Sequence, residues 1–103
     1  MSQSRRIQLH TKLERLLGSR NVYFQPPTGT KIQYPCIVYN LATAYDMHAD
    51  DQIYGRMYRY TLNYITKDPD DPRRDLIDDL PYCAFDRVVV NDNLYHFYYT
   101  IYN

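Results

Sequence analysis

Apolar residues recur along this chain in two periods, and the change from one period to the other divides it into elements. Near the start, leucines return every three or four positions, which is the spacing of one helix face. They are Leu9, Leu13, Leu16 and Leu17. They predict an amphipathic helix over residues 4–18, ended by Gly18.

Apolar and polar residues alternate in the next segments, as in strands that have one buried face. The segment "NVYFQ" predicts a short strand, and residues 36–41 and 57–65 predict two further strands that pair with each other. Prolines in the loop "PPTGTKIQYP" exclude a continuous sheet there.

A second short helix and a hairpin complete the pattern. Asp71 and Pro72 suit the N-cap and first position of a helix over residues 72–80. The "NDN" turn then separates strands at 87–91 and 94–102. The chain is therefore expected to be a single α+β domain over residues 1–103. A mostly antiparallel sheet of four to five strands is flanked by the N-terminal helix and the second short helix.

The connection between the two middle strands is longer than a hairpin needs, and long connections in compact domains often have a function. Residues 43–57 therefore predict a protruding arm. We expect Tyr45, Ile53 and Tyr54 to anchor its base. We expect its acidic residues to face a partner or the lumen of an assembly; they are Asp46, Asp50 and Asp51.

Aromatic residues crowd both faces of the last strand. The chain has 13 tyrosines, 3 phenylalanines and no tryptophan, and tyrosine is enriched at protein interfaces. Tyr98, Tyr99 and Tyr102 should be shielded from solvent, either by the chain's own helices or by neighbouring subunits. They are candidate interface residues.

The charges balance at 12 basic and 12 acidic residues, so there is no general attraction to nucleic acid or to an anionic membrane. Residues 1–20 are basic and "KDPDDPRRDLIDD" is acidic. These regions are either two solvated faces or a means by which adjacent copies or partner rings meet in one orientation. No segment approaches the roughly 20 apolar residues of a membrane span.

Residues that could carry chemistry do not form a known pattern. Cys36 and Cys83 lack metal spacing and are expected to be buried free thiols. The segment "DMHADD" lacks the spacing of a calcium loop, and His10 and His96 have no recognisable catalytic partners. We predict no catalytic residue, no metal site and no cofactor, and hence a protein that is not an enzyme.

The order of features resembles small tail terminator or tail-completion proteins of tailed bacteriophages over nearly the whole chain. The segments that carry the likeness are "YPCIVY", "RYTLNYITKDPD" and "FDRVVVNDNLYHFYYTIY". The resemblance implies a structural virion protein, made in the host cytoplasm. It would form a homo-oligomeric ring, commonly a hexamer, between the tail tube protein and the head-side connector or neck protein. DNA would pass through the lumen without specific binding.

Two alternatives stay open beside that interpretation. One is a head-side connector or neck ring protein, which would share the same kind of architecture. The other is a small nucleic-acid-binding module, because Tyr58, Tyr60 and Tyr64 lie near Arg56 and Arg59 and aromatic residues on a sheet can stack on bases. The zero net charge and the missing RNA-recognition signature favour a core and interface role for these tyrosines.

Overall fold

The computed structural model describes residues 2–49 and 52–103, with side chains described for 5–44 and 57–103. Two helices and five strands follow one another along the chain. They are α1 (Ser2–Leu17), β1 (Val22–Phe24), β2 (Cys36–Ala49), β3 (Gln52–Thr66), α2 (Arg73–Asp78), β4 (Cys83–Asn91) and β5 (Leu94–Tyr102). The α+β prediction is confirmed.

All five strands form one sheet in the order β1-β2-β3-β5-β4. β1 runs parallel to β2, and the remaining neighbours are antiparallel. The predicted turn after β4 is present: Asp92 and Asn93 have φ values of 52° and 62°. Positive φ at both central residues is the requirement of the hairpin turn whose twist matches that of the strands, and Asp and Asn tolerate it. This turn places β4 outside β5, at an edge of the sheet.

Both helices pack on the same face of the sheet. Leu9, Leu13 and Leu17 of α1 share one buried cluster with Ile77 of α2. The sheet residues in that cluster are Val22, Ile37, Tyr39, Tyr60, Leu62, Tyr64, Phe97, Tyr99 and Ile101. The two faces of β5 therefore differ, because Phe97, Tyr99 and Ile101 are buried under the helices whereas His96, Tyr98 and Thr100 are half-buried on the other face.

The ends of the helices differ slightly from the predicted bounds. Gly18 follows α1 with a φ of 78°, and its N–H donates to the Glu14 carbonyl at 2.9 Å. This is the left-handed C-cap that favours glycine. α2 begins at Arg73 with Pro72 as its N-cap, so the prediction of Asp71 as the cap is wrong by one residue. The Asp71 side chain nevertheless accepts a hydrogen bond from the Arg73 N–H at 3.0 Å.

The middle strands are longer than predicted. β2 and β3 were expected to end near residue 41 and to begin near residue 57, but their backbones stay paired from Thr43 opposite Arg59 to Ala49 opposite Gln52. β1 and β5 pair with them only in their inner parts. The outer parts thus form a two-stranded ribbon, and the molecule measures 51 × 25 × 23 Å. Residues 43–49 and 52–57, which were expected to form a connection, are therefore paired strand.

Candidate interaction surface

β4 is the edge strand of the sheet, and most of it is exposed. Among the described strands it pairs with β5 alone. Exposure reaches 47% at Phe85, 47% at Val88, 41% at Val89 and 59% at Val90. Apolar side chains at such levels on consecutive edge positions are unusual, because an unpaired edge is a template for another strand.

The valines of β4 are exposed on both faces of the sheet. Val88 lies opposite Phe97 and therefore points to the helix side, whereas Val89 lies opposite His96 and points to the other side. α2 has only six residues. The guanidinium of its Arg74 lies 5.6 Å from the Phe85 ring centre and 4.2 Å from that of Phe97. Every residue of β4 after Cys83 nevertheless remains exposed.

The features by which proteins usually protect an edge strand are sparse in β4. The strand "CAFDRVVVN" contains neither lysine nor proline. Its one cation, Arg87, is paired with the adjacent Asp86 at 2.6 Å. A register shift between Phe85 and Arg87 is the one irregularity in its pairing with β5. Charge and proline are the common means of preventing edge pairing, so this edge is open to a partner.

Exposed residues of α2 and its flanks extend this region. Leu76 is 51% exposed, and the neighbouring Asp75, Asp78 and Asp79 are exposed too. We call the residues Leu76, Phe85, Val88 and Val90 the β4 surface. It is an apolar region at the acidic end of the helix layer.

A buried carboxylate fixes α2 against the sheet beside this surface. Asp71 Oδ2 accepts hydrogen bonds from the Tyr64 hydroxyl at 2.6 Å and from Thr66 Oγ1 at 3.0 Å. Arg73 supplies its backbone N–H to Oδ1 and a guanidinium nitrogen 3.6 Å from Oδ2. Burial opposes ionisation of Asp71, but these hydrogen bonds and the nearby cation outweigh it and lower its pKa. The carboxylate is therefore ionised and fully occupied by its own chain.

On the sheet face opposite the helices, the part beside β5 is polar and aromatic, whereas Cys36 and Ile65 on the same face are buried. The rings of His96 and Tyr98 are stacked with centres 6.4 Å apart, and the Arg87 guanidinium lies 4.5 Å from the Tyr98 ring centre. Asn63 Nδ2 lies 3.3 Å from His96 Nδ1, and the buried Asn63 Oδ1 has no hydrogen-bond partner among the described residues. This face suits a polar partner better than an apolar one.

The candidate interface residues predicted from the sequence differ in their exposure in the structure. Tyr98 and Tyr102 are half-buried, whereas Tyr99 has no exposed surface and packs the chain's own core. Tyr99 therefore has no surface to offer to a partner. The remaining nominees, Tyr45, Asp46, Ile53 and Tyr54, lie in the ribbon with their side chains outside the described set, and Asp50 and Asp51 lie outside the described residues altogether.

Sequence reasoning missed the valines of β4 as surface residues. The segment "RVVVN" predicted a strand, and three consecutive valines resemble the run of a strand that is buried on both faces. Only the strand order shows that this strand lies at an edge. No local signal in the sequence distinguishes the two cases.

The cysteines and His10 have structural surroundings. Cys36 is buried and Cys83 is half-buried, both as free thiols. His10 Nδ1 lies 2.7 Å from the Tyr39 hydroxyl, which also accepts from Arg6 at 3.3 Å. This small network joins α1 to β2.

Within residues 2–49 and 52–103, no group of three histidine, cysteine or acidic side chains is placed to hold a metal ion. None of the helices in that part of the chain has the length and apolar character needed to cross a membrane. Comparison with protein-family models, curated proteins and solved structures finds no match to this chain.

Proposed function

We propose that this chain is a structural subunit of a phage particle, a tail terminator or tail-completion protein that forms a ring at the head–tail junction. It acts by assembly and carries out no catalysis. The observation that carries the proposal is the β4 surface, since an exposed apolar edge strand fits a subunit that is completed by its neighbours. The sequence resemblance supplies the kind of assembly.

The partners follow from that role. One side of the ring, commonly a hexamer, would contact the last ring of tail tube protein, and the other side would contact the head-side connector or neck protein. DNA would pass through the lumen. The zero net charge supports passage without specific binding, because little electrostatic attraction would hold the phosphate backbone.

The composition of purified particles tests this proposal. Quantitative mass spectrometry of particles from infected cells should find the chain in a few copies per virion, at the neck in labelled images. Finding it only in the free lysate would contradict a structural role.

Genetic disruption separates the proposal from a head-side ring. Loss of a terminator should leave filled heads and separate tails, many of abnormal length. Loss of a head-side connector or neck ring should instead leave tails of normal length and heads that release DNA. Electron microscopy of the two kinds of lysate distinguishes these outcomes.

The sheet face opposite the helices favours one other candidate, a nucleic-acid-binding module. The stacked rings of His96 and Tyr98, with Arg87 over the Tyr98 ring, offer the aromatic and cationic groups that single strands use. The pairing of Arg87 with Asp86 and the balanced charge argue against it. Tight binding of single-stranded oligonucleotides that weakens steeply with added salt would favour this candidate over the ring subunit.

A further inference from the structure

The helix layer carries opposite charges at its two ends. Residues 5–20 contain five basic side chains and one acidic side chain, a formal net charge of +5 − 1 = +4. Residues 67–87 contain seven aspartates, three arginines and one lysine, a net charge of +4 − 7 = −3. The first range includes most of α1, and the second runs from just before α2 into β4.

The basic end has an apolar centre. Ile7, Thr11 and Arg15 are four residues apart and lie on the face of α1 opposite the buried leucines. Ile7 is 50% exposed. We call the residues around it the α1 surface; they are Ile7, Gln8, Thr11, Lys12 and Arg15, and they line a shallow cavity of about 340 Å³.

Some of the charged side chains that border these two surfaces have no ion-pair partner in the part of the chain that the structure describes. Among the described residues, Lys12 and Arg15 form no ion pair, and neither do Asp75 and Asp79. The α1 surface is thus an exposed isoleucine with cations beside it. The β4 surface is a set of exposed apolar residues with aspartates beside it.

We propose that the α1 surface of one copy binds the β4 surface of the next copy, around the ring. This inference rests on the proposed function, because it assigns the contact between ring subunits. Opposite charges at the borders would steer the two surfaces together, and the apolar centres would be removed from water on contact.

Charge selects this contact over a symmetric one. Pairing of β4 with its own counterpart would bring two acidic regions of net charge −3 together, and like charges across an interface oppose association. Contact of α1 in one copy with β4 in the next copy joins two different surfaces, and each copy carries both. Such a contact repeats from copy to copy and closes into a ring when the rotation permits.

Charge reversal tests the contact through assembly. The variant Lys12→Glu/Arg15→Glu should reduce the number of copies per particle at least tenfold when it complements a phage that lacks the gene, and Asp75→Lys/Asp79→Lys should do the same. The chain that carries all four substitutions should regain at least half of the wild-type incorporation, because opposite charges meet again. All variants should keep the far-UV circular dichroism of the wild type.

A matched control separates position from net charge. Lys31→Glu/Lys67→Glu changes the formal charge by the same amount at exposed positions outside both surfaces, and incorporation should stay within twofold of the wild type. Normal incorporation of Lys12→Glu/Arg15→Glu, or no rescue in the fourfold variant, would overturn the contact while leaving the ring proposal intact.

A second readout does not depend on the particle. Carbodiimide treatment of a concentrated mixture of isotope-labelled and unlabelled protein should join Lys12 of one copy to Asp75 or Asp79 of another, identified as mixed-label peptides. This cross-link is expected even if the chain proves absent from virions. Absence from virions would contradict the proposed function but not the contact. Cross-links between other surfaces with none at Lys12 would contradict the contact.

Discussion

Replacement of Asp71 by asparagine removes one buried charge and keeps the shape of the side chain. Asp71 is 7% exposed, and its Oδ2 faces the hydroxyls of Tyr64 and Thr66. In the variant, the amide NH₂ is itself a donor. It faces either the two hydroxyl donors or, if the amide is turned round, the Arg73 N–H donor. Hydrogen bonds to a charged group contribute about 1.5–3 kcal/mol each and neutral ones about 0.5–1.5 kcal/mol.

We therefore expect Asp71→Asn to lower the free energy of unfolding by about 2–3 kcal/mol at pH 7. In a domain of this size, such a loss lowers the melting temperature by roughly 10–20 °C. The neighbouring Asp70 is exposed, and Asp70→Asn serves as the matched control that should melt with the wild type. Thermal and urea unfolding followed by circular dichroism measure both variants.

The sign of the pH dependence follows from the direction of the pKa shift. Burial raises the pKa of Asp71, but the hydrogen bonds from Tyr64, Arg73 and Thr66 together lower it by more than burial raises it. The pKa in the folded state therefore lies below the ordinary value. The stability that it contributes is present above the unfolded pKa of about 3.9 and is lost as the pH falls through the folded value. Since asparagine does not titrate, the difference between wild type and Asp71→Asn should shrink in acid. A difference below 0.5 kcal/mol at pH 7, on the order of a neutral surface change, or one that persists in acid, would refute this account.

Three further predictions concern the core, the thiols and the ribbon. Tyr39→Phe removes the hydroxyl that contacts His10 at 2.7 Å and should cost about 1 kcal/mol in urea unfolding; unchanged stability would show that the contact contributes nothing. Burial raises the pKa of Cys36 to about 12 and of Cys83 to about 11, so at pH 8 a thiol reagent should react much faster in urea than with the native protein, and equal rates would contradict the buried environment. Replacing residues 46–52 by a short Gly-Ser turn should leave the circular dichroism and melting of the monomer intact but lower the yield of joined heads and tails, and a normal yield would make the ribbon a simple connection.

Local patterns in the sequence predicted the elements that have one buried face and one exposed face. The leucine spacing of α1, with Gly18 at its end, reports a helix that has one buried face. The "NDN" turn between β4 and β5 reports a backbone conformation that those residues tolerate. The outer ribbon of β2 and β3 was expected to be an arm, because the segment between the two strands is longer than a hairpin needs and has a polar tip.

Candidate interface residues were harder to predict than elements. Tyr98 and Tyr99 have the same side chain and adjacent positions, yet one is half-buried and the other has no exposed surface. Alternation showed that they point to opposite faces, but it did not show which face the helices cover. Because the chain has aromatic residues on both faces of β5, composition could not decide between them.

The sequence by itself determined the period of each segment, and with it the α+β class, since helices and strands impose different spacings on the residues that they bury. The tertiary structure decided that α1 and α2 share one face and that β4 lies at the edge. These features depend on pairing between strands and packing between elements that are distant in the chain. Exposure of Val88 and Val90 therefore follows from the position of β4 in the sheet, because the same valine run would be buried in a central strand.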